Sequence, residues 1–266
     1  MPDPVIAVRD LRVAYGAKVA VESVSFTVNA GEILGYLGPN GAGKSSTVKV
    51  LCGMNAPTAG SVTVCGFDVA THPLEVKRRL GYVPESGALY ESLTVEEHLL
   101  LIGRLYRLAD AEILERARRY AGFLGLEEKW TERVGSLSKG TRQKVLIAAA
   151  LLHNPEVLFF DEPLSGLDVN AALLFRELVR SLAASGKAVF YSSHVLEVVE
   201  QLCQRVIILD KGRVVADGPV ARLREQAQGK GGAGSLNAVF QSLTSQGDVA
   251  ATARAFAASV TAVPGR

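Results

Sequence analysis

Cysteine, methionine and tryptophan are scarce in this 266-residue chain, and neither sign of charge dominates it. The three cysteines, Cys52, Cys65 and Cys203, are odd in number, far apart, and outside any Cys-x-x-Cys or ligand-spaced histidine pattern. Neither a disulfide framework nor a zinc site is implied, and a reducing compartment fits. Lysine and arginine number 29 against 27 aspartates and glutamates, for a net charge of +2, so nucleic acid is not expected as a partner. The longest wholly apolar run, residues 145–152, falls well short of the roughly 20 residues that cross a bilayer. Met1-Pro2-Asp3-Pro4 opens without the basic and apolar regions of a secretion signal. Any membrane role is therefore expected to be peripheral. At 48% hydrophobic and 21% charged, the chain is no disordered segment, and it is expected to form one large domain with a subdomain.

What is present begins at Gly38-Pro39-Asn40-Gly41-Ala42-Gly43-Lys44-Ser45, a Gly-x-x-x-x-Gly-Lys-Ser loop. It follows the apolar run Ile33 to Leu37 and leads into Ser46 to Leu51, an order that reads strand, loop, helix. Backbone N–H groups wrap polyphosphate oxygens only where side chains stay away, and glycine meets that need. The helix that follows points its unpaired N–H groups and positive dipole end at the same anion. Lys44 is placed to reach the β- and γ-phosphates, and the Ser45 hydroxyl to take one Mg²⁺ position.

Ahead of this loop, residues 5–13 and 19–28 read as a hairpin around Tyr15-Gly16-Ala17-Lys18. Taken alone, Tyr15 at that turn reads as packing more readily than as a ligand contact. Residues 61–65 are a further strand, and Gly81 to Glu85 a short one ended by Pro84. Helical periodicity then takes over for some seventy residues. It includes a capping box at Thr94 to Glu97 and an apolar stripe of Ile113, Leu114, Ala117, Ala121 and Leu124 between residues 110 and 124. Leu137-Ser138-Lys139-Gly140-Thr141 supplies a second helix N-terminus, with Ser138 as its cap and Gly140 permitting close approach.

Val157 to Phe160 is a fully apolar run that stops at Asp161-Glu162-Pro163. Acids at the carboxyl end of a buried strand stand where open α/β sheets bind ligands. Asp161 would hold Mg²⁺ directly or through water, and Glu162 would orient or deprotonate an attacking water. Asp168 caps a helix over 169–184, and a strand over 188–191 delivers Ser192-Ser193-His194, with His194 able to hydrogen-bond a γ-phosphate. A hairpin over 206–216 is closed by Gly218. Gly229 to Gly234 reads as a flexible linker. Leu236, Val239, Phe240 and Leu243 make a short amphipathic helix in need of a surface, and alanine-rich 249–260 reads as another helix.

Taken together, these residues resemble an ATP-binding cassette (ABC) ATPase over about residues 5–223. The resemblance implies an α/β P-loop NTPase (RecA-like) core with an N-terminal antiparallel β subdomain and an inserted α-helical subdomain. The expected division is 1–84 with 156–225 for the core, 85–155 for the helical subdomain and 226–266 for linker and tail. It implies that Tyr15 stacks on adenine, that residues 38–46 grip the phosphates, and that Leu137 to Thr141, with Ser138 and Gly140, is the signature loop. Asp161 and Glu162 are then the metal-holding acid and the base, Ser165 to Asp168 crosses a dimer seam, and His194 is the switch histidine. Two positions depart from the family. Lys139 stands where glycine is common in the signature loop, and Glu85 replaces a phosphate-sensing glutamine. Glu85 can still ligate Mg²⁺ through water, but an ionised carboxylate donates no hydrogen bond.

Both departures are similar to those of ATPases serving bacterial drug, ion and natural-product exporters. The resemblance implies ATP and Mg²⁺ as cofactors and a head-to-tail pair with a second copy or a homologous ATPase. It also implies a separate membrane permease and a place on the cytoplasmic face of the membrane. The competing class, a soluble ABC ATPase acting on DNA or ribosomes, would carry a second cassette or a coiled-coil insertion. A GTPase would carry Asn-Lys-x-Asp. None of these occurs in the chain.

Overall fold

Partial alternation of apolar and polar residues, interrupted by irregular pairing, builds the first layer, in a computed structural model that describes residues 3–85, 89–193, 195–228, 234–244 and 256. In β1 (Ile6–Tyr15), Ile6, Val8, Leu11 and Val13 are buried, as are Val21, Val24, Phe26 and Val28 of β2 (Lys18–Val28). The two pair antiparallel, with β4 (Ala59–Val64) and β5 (Phe67–Asp68) completing a four-stranded sheet in the order β2-β1-β4-β5.

The second sheet needs apolar residues on both faces, because helices and the first sheet cover it from opposite sides. It contains β3 (Ile33–Leu37), β6 (Leu80–Val83), β7 (Val157–Asp161), β8 (Ala188–Ser192), β9 (Arg205–Asp210) and β10 (Arg213–Pro219). Their order is β10-β9-β3-β8-β7-β6, parallel except for β10. Successive side chains point to opposite faces. Val157 and Phe159 therefore join the cluster under the first sheet, whereas Leu158 and Phe160 join the cluster shared with the helices. The hairpin expected over 206–216 extends further, since Gly218 pairs with Val206 rather than ending the strand.

The helices are α1 (Lys44–Leu51), α2 (Pro73–Arg79), α3 (Val95–Leu105), α4 (Asp110–Leu124), α5 (Lys139–Leu151), α6 (Val169–Ala184), α7 (Leu196–Leu202), α8 (Val220–Gln228) and α9 (Leu236–Leu243). Thr94 and Glu97 form the reciprocal capping box that starts α3. Asp168 caps α6 by accepting from the Ala171 N–H at 2.9 Å. Of the expected stripe on α4, Ile113, Ala117, Ala121 and Leu124 are buried and Leu114 is partly so. α8 runs across residue 225, and α9 packs on α7 and α8, with Leu236, Val239 and Phe240 inside the helical-side core. The linker over 229–233 and the helix expected over 249–260 lie outside the described residues, Phe256 apart.

Candidate nucleotide-binding site

The Gly38 to Ser45 loop emerges from the carboxyl end of β3, in the middle of the parallel sheet, and becomes α1. Backbone on two sides confines it. A Cβ at Gly38 would stand 2.7 Å from Leu209 O, and one at Gly43 2.5 Å from Ala20 O. Gly43 also has φ of 106°, a conformation L side chains rarely adopt. The Gly212 N–H donates to Ala42 O at 3.0 Å, fastening the loop to the turn between β9 and β10.

Lys44 Nζ lies back over the loop, donating to Gly38 O at 2.5 Å and Pro39 O at 3.2 Å. Burial pulls its pKa down, opposed by the nearby carboxylates of Glu162, Asp161 and Glu85. Pro39, Asn40, Gly41, Ala42, Gly43, Lys44, Ser45 and Ser46 line a cleft of about 230 Å³ together with Tyr15, Lys18 and Ala20. Tyr15 is 48% exposed, and its hydroxyl accepts from Asn55 Nδ2 at 3.2 Å, which leaves a ring face available. The Lys18 contribution was not read from the sequence; its signal is the position three residues after Tyr15, across the hairpin turn.

The acids arrive from neighbouring strands. Asp161 ends β7 in register with Ser192 of β8, and Glu85 follows β6. Burial pushes the Asp161 carboxyl above its usual range, as do Glu162 and Glu85, while the Ser192 hydroxyl and Lys44 act the other way. Glu162 has φ of 50°, an uncommon value for a non-glycine residue. Its N–H donates to Ser192 O at 2.9 Å, and its Oε2 accepts from Ser193 Oγ at 2.9 Å. Backbone strain of this kind clusters at functional sites, and Ser193 fixes the carboxylate it presents. Nothing in the sequence singles out Ser193, since its approach to Glu162 follows from the pairing of β7 with β8. His194 lies outside the described residues.

Ser138 and Gly140 are not among the residues lining this cleft. Ser138 is exposed and caps α5, accepting from the Thr141 N–H at 3.2 Å. The structure thus brings Lys44, Asp161, Glu162 and Glu85 into one electrostatic group at the carboxyl edge of the sheet and holds the second helix end apart from it.

A glycine-rich strand-to-helix loop beside two acids, on a parallel sheet, defines a P-loop nucleotide hydrolase. A family model described as ABC transporter matches residues 21–165. The chain is 40% identical over 225 residues to ABC transporter ATP-binding protein NatA of Bacillus subtilis (strain 168), covering 84% of this chain and 89% of that protein. It is 40% identical over 215 residues to Nod factor export ATP-binding protein I of Ralstonia nicotianae (strain ATCC BAA-1114 / GMI1000), covering 81% and 67%. A dimeric post-hydrolysis structure of the ATP-binding cassette MJ0796, bound to ADP and Pi, is similar at a TM-score of 0.74 and 25% identity, covering 80% and 98%. The chain belongs to the ABC transporter family, as one of its ATP-binding, ATP-hydrolysing subunits.

Proposed function

We propose that the protein is the motor of an exporter. It pairs head to tail with a second copy, or a homologous ATPase, and drives cargo through a separate membrane permease. The observation that carries this reading is the exposed, Ser138-capped end of α5, held apart from the cleft of its own chain. Two anion-seeking helix ends and one phosphate loop make complete sites only when each nucleotide lies between the loop of one chain and Ser138 and Gly140 of the other.

Within such a site Tyr15 stacks on adenine and the N–H groups of residues 38–46 hold the phosphates. Lys44 leaves its carbonyl partners to meet the β- and γ-oxygens. Ser45 and Asp161, with Glu85 through water, would supply an oxygen donor set that suits Mg²⁺. When bound, the ion neutralises charge on the β- and γ-phosphates. Glu162, steadied by Ser193, orients or deprotonates the attacking water, and His194 contacts the γ-phosphate. Hydrolysis leaves like charges on ADP and phosphate in a tight space, which favours opening of the pair.

The permease has a candidate seat in a cleft of about 630 Å³ between core and helical subdomain, lined in part by Leu74, Ile102 and Leu105, with Lys77 and Arg107. No helix among the described residues is long and apolar enough to cross a membrane, so the chain would reach the cytoplasmic face through that partner. Export as the direction draws on the similarity to the Nod factor export subunit.

The test is Glu162→Gln. The variant should bind ATP and form a dimer upon it by light scattering, with hydrolysis reduced about a hundredfold, the usual cost of losing one such group. Wild-type turnover would remove Glu162 from the chemistry, and a monomer at saturating ATP would overturn the paired site.

A further inference from the structure

Lys139 follows the Ser138 cap, and its Nζ donates to Ser165 Oγ at 2.7 Å. The stem of the lysine lies on Gly166: a Cβ built there would meet Lys139 Cγ at 2.9 Å and Cδ at 3.0 Å. One residue further along α5, a Cβ at Gly140 would stand 2.5 Å from Gly166 O. The first turn of α5 and the turn over 162–167 are therefore joined by backbone, stem and ammonium together.

That second turn is closed on itself. The Ser165 N–H donates to Glu162 O at 3.1 Å, the Leu167 N–H to Leu164 O at 3.1 Å, and Leu164 and Leu167 pack on the helical-side core. An exposed lysine ordinarily keeps its rotamer freedom, because one surface hydrogen bond does not offset the entropy of fixing four torsions. Lys139 has a groove made by a missing side chain, and a hydroxyl at the end of it.

We infer that Lys139 is a positioning residue that couples the two nucleotides of a paired molecule, by tying the Ser138 turn to the turn that carries Glu162. The inference rests on the head-to-tail reading, in which Ser138 faces the nucleotide held by the partner's loop. A shift of Ser138 on that nucleotide is passed through Lys139 and Ser165 to Glu162, which acts on the nucleotide in the chain's own loop. Each chain thereby reports the state of one site to the other.

The experiment measures ATPase rate against ATP concentration for wild type, Lys139→Met, Lys139→Arg, Ser165→Ala and the Lys139→Met/Ser165→Ala double variant. Melting temperature is recorded for each. The wild type should be cooperative, and Lys139→Met and Ser165→Ala should each lower the Hill coefficient from about 2 toward about 1. The double variant should fall no further than either single one, because both remove the same link. Lys139→Arg should retain cooperativity, and the melting temperature should stay at the wild-type value throughout, which shows that the fold is intact. A Hill coefficient unchanged by Lys139→Met, or additive effects in the double variant, would overturn the link while ATP-driven dimerisation of Glu162→Gln still stood. Failure of that dimerisation would instead remove the paired site, and the link with it.

Discussion

Tyr36 Oη donates to Thr47 Oγ1 at 3.1 Å, so the last turns of β3 and the first of α1 are clasped beneath the phosphate loop they flank. Thr47 Oγ1 in turn donates to Gly43 O at 3.1 Å, and both side chains are fully buried. The loop is thus held in shape from below, which preserves the outward direction of its N–H groups. Tyr36→Phe removes the phenolic donor and leaves Thr47 with its bond to Gly43. We expect a loss of about 1 kcal/mol, the net worth of one hydrogen bond. That corresponds to a melting temperature lower by about 2–4 °C, read by scanning calorimetry, with weaker ATP binding in a titration.

Gly43 and Gly41 separate two reasons for glycine. Both have positive φ, 106° and 81°, but a Cβ at Gly43 would collide with Ala20 O whereas one at Gly41 meets nothing within 4 Å. Gly43→Ala should therefore abolish nucleotide binding by displacing the loop from β2. Gly41→Ala should bear only left-handed strain, of the order of 1 kcal/mol, and still bind. Isothermal titration with ATP checks both, and equal losses would show that steric contact with Ala20 is not the cause.

His153, two residues beyond α5, ties the end of α3 to β6. Its ring stacks on Tyr106 with centroids 3.6 Å apart and planes within 7°, and its Nε2 donates to Leu80 O at 2.9 Å. Burial lowers its pKa to about 4. Between that value and the unfolded value near 6.5, the unfolded chain binds a proton that the folded chain refuses, so stability is lost as pH falls through this window. Buried His98, also shifted downward by burial, acts in the same sense. Urea unfolding at pH 7 and pH 5 should show a loss that His153→Phe reduces by about 1–2 kcal/mol. An identical pH slope in the variant would remove His153 from the effect.

Leu74 and Leu105 are each 67% exposed, although both line the large cleft between α2 and α3. Substituting either by aspartate should leave the fold intact, since neither side chain sits in the core. The same substitutions should abolish co-purification with the permease without lowering the ATPase rate of the isolated chain. A parallel loss of ATPase would show that the cleft serves the catalytic edge rather than a partner.

The parts that could be read in the sequence are those where a local rule agrees with the fold. The apolar run before Gly38, the Thr94 to Glu97 capping box and the Asp168 cap each carry their own physics, and β3, α3 and α6 begin where those residues say. Short helices were harder. α2 and α7 have seven residues each, too few for an amphipathic period to rise above its surroundings, and α8 precedes a glycine run that masks its end. At the site, the φ of Glu162, its bond from Ser193 and the Lys139 contact with Ser165 join residues whose approach depends on the whole sheet. No spacing in the chain announces them.

The surface that α9 needed is shared by α7 and α8. Leu236, Val239 and Phe240 share an apolar cluster with Val199 and Leu202, and Arg224 of α8 bonds both Glu200 and Gly234 O at 2.9 Å. Cutting the chain after Gln228 would strip that cover and lay the oily side chains of Val199 and Leu202 bare. Such a shortened protein would adhere to its own kind, and α7 would lose its backing. Trimming from the carboxyl end should accordingly stop beyond Thr244, whose buried hydroxyl donates to Phe240 O at 2.8 Å and closes the last turn.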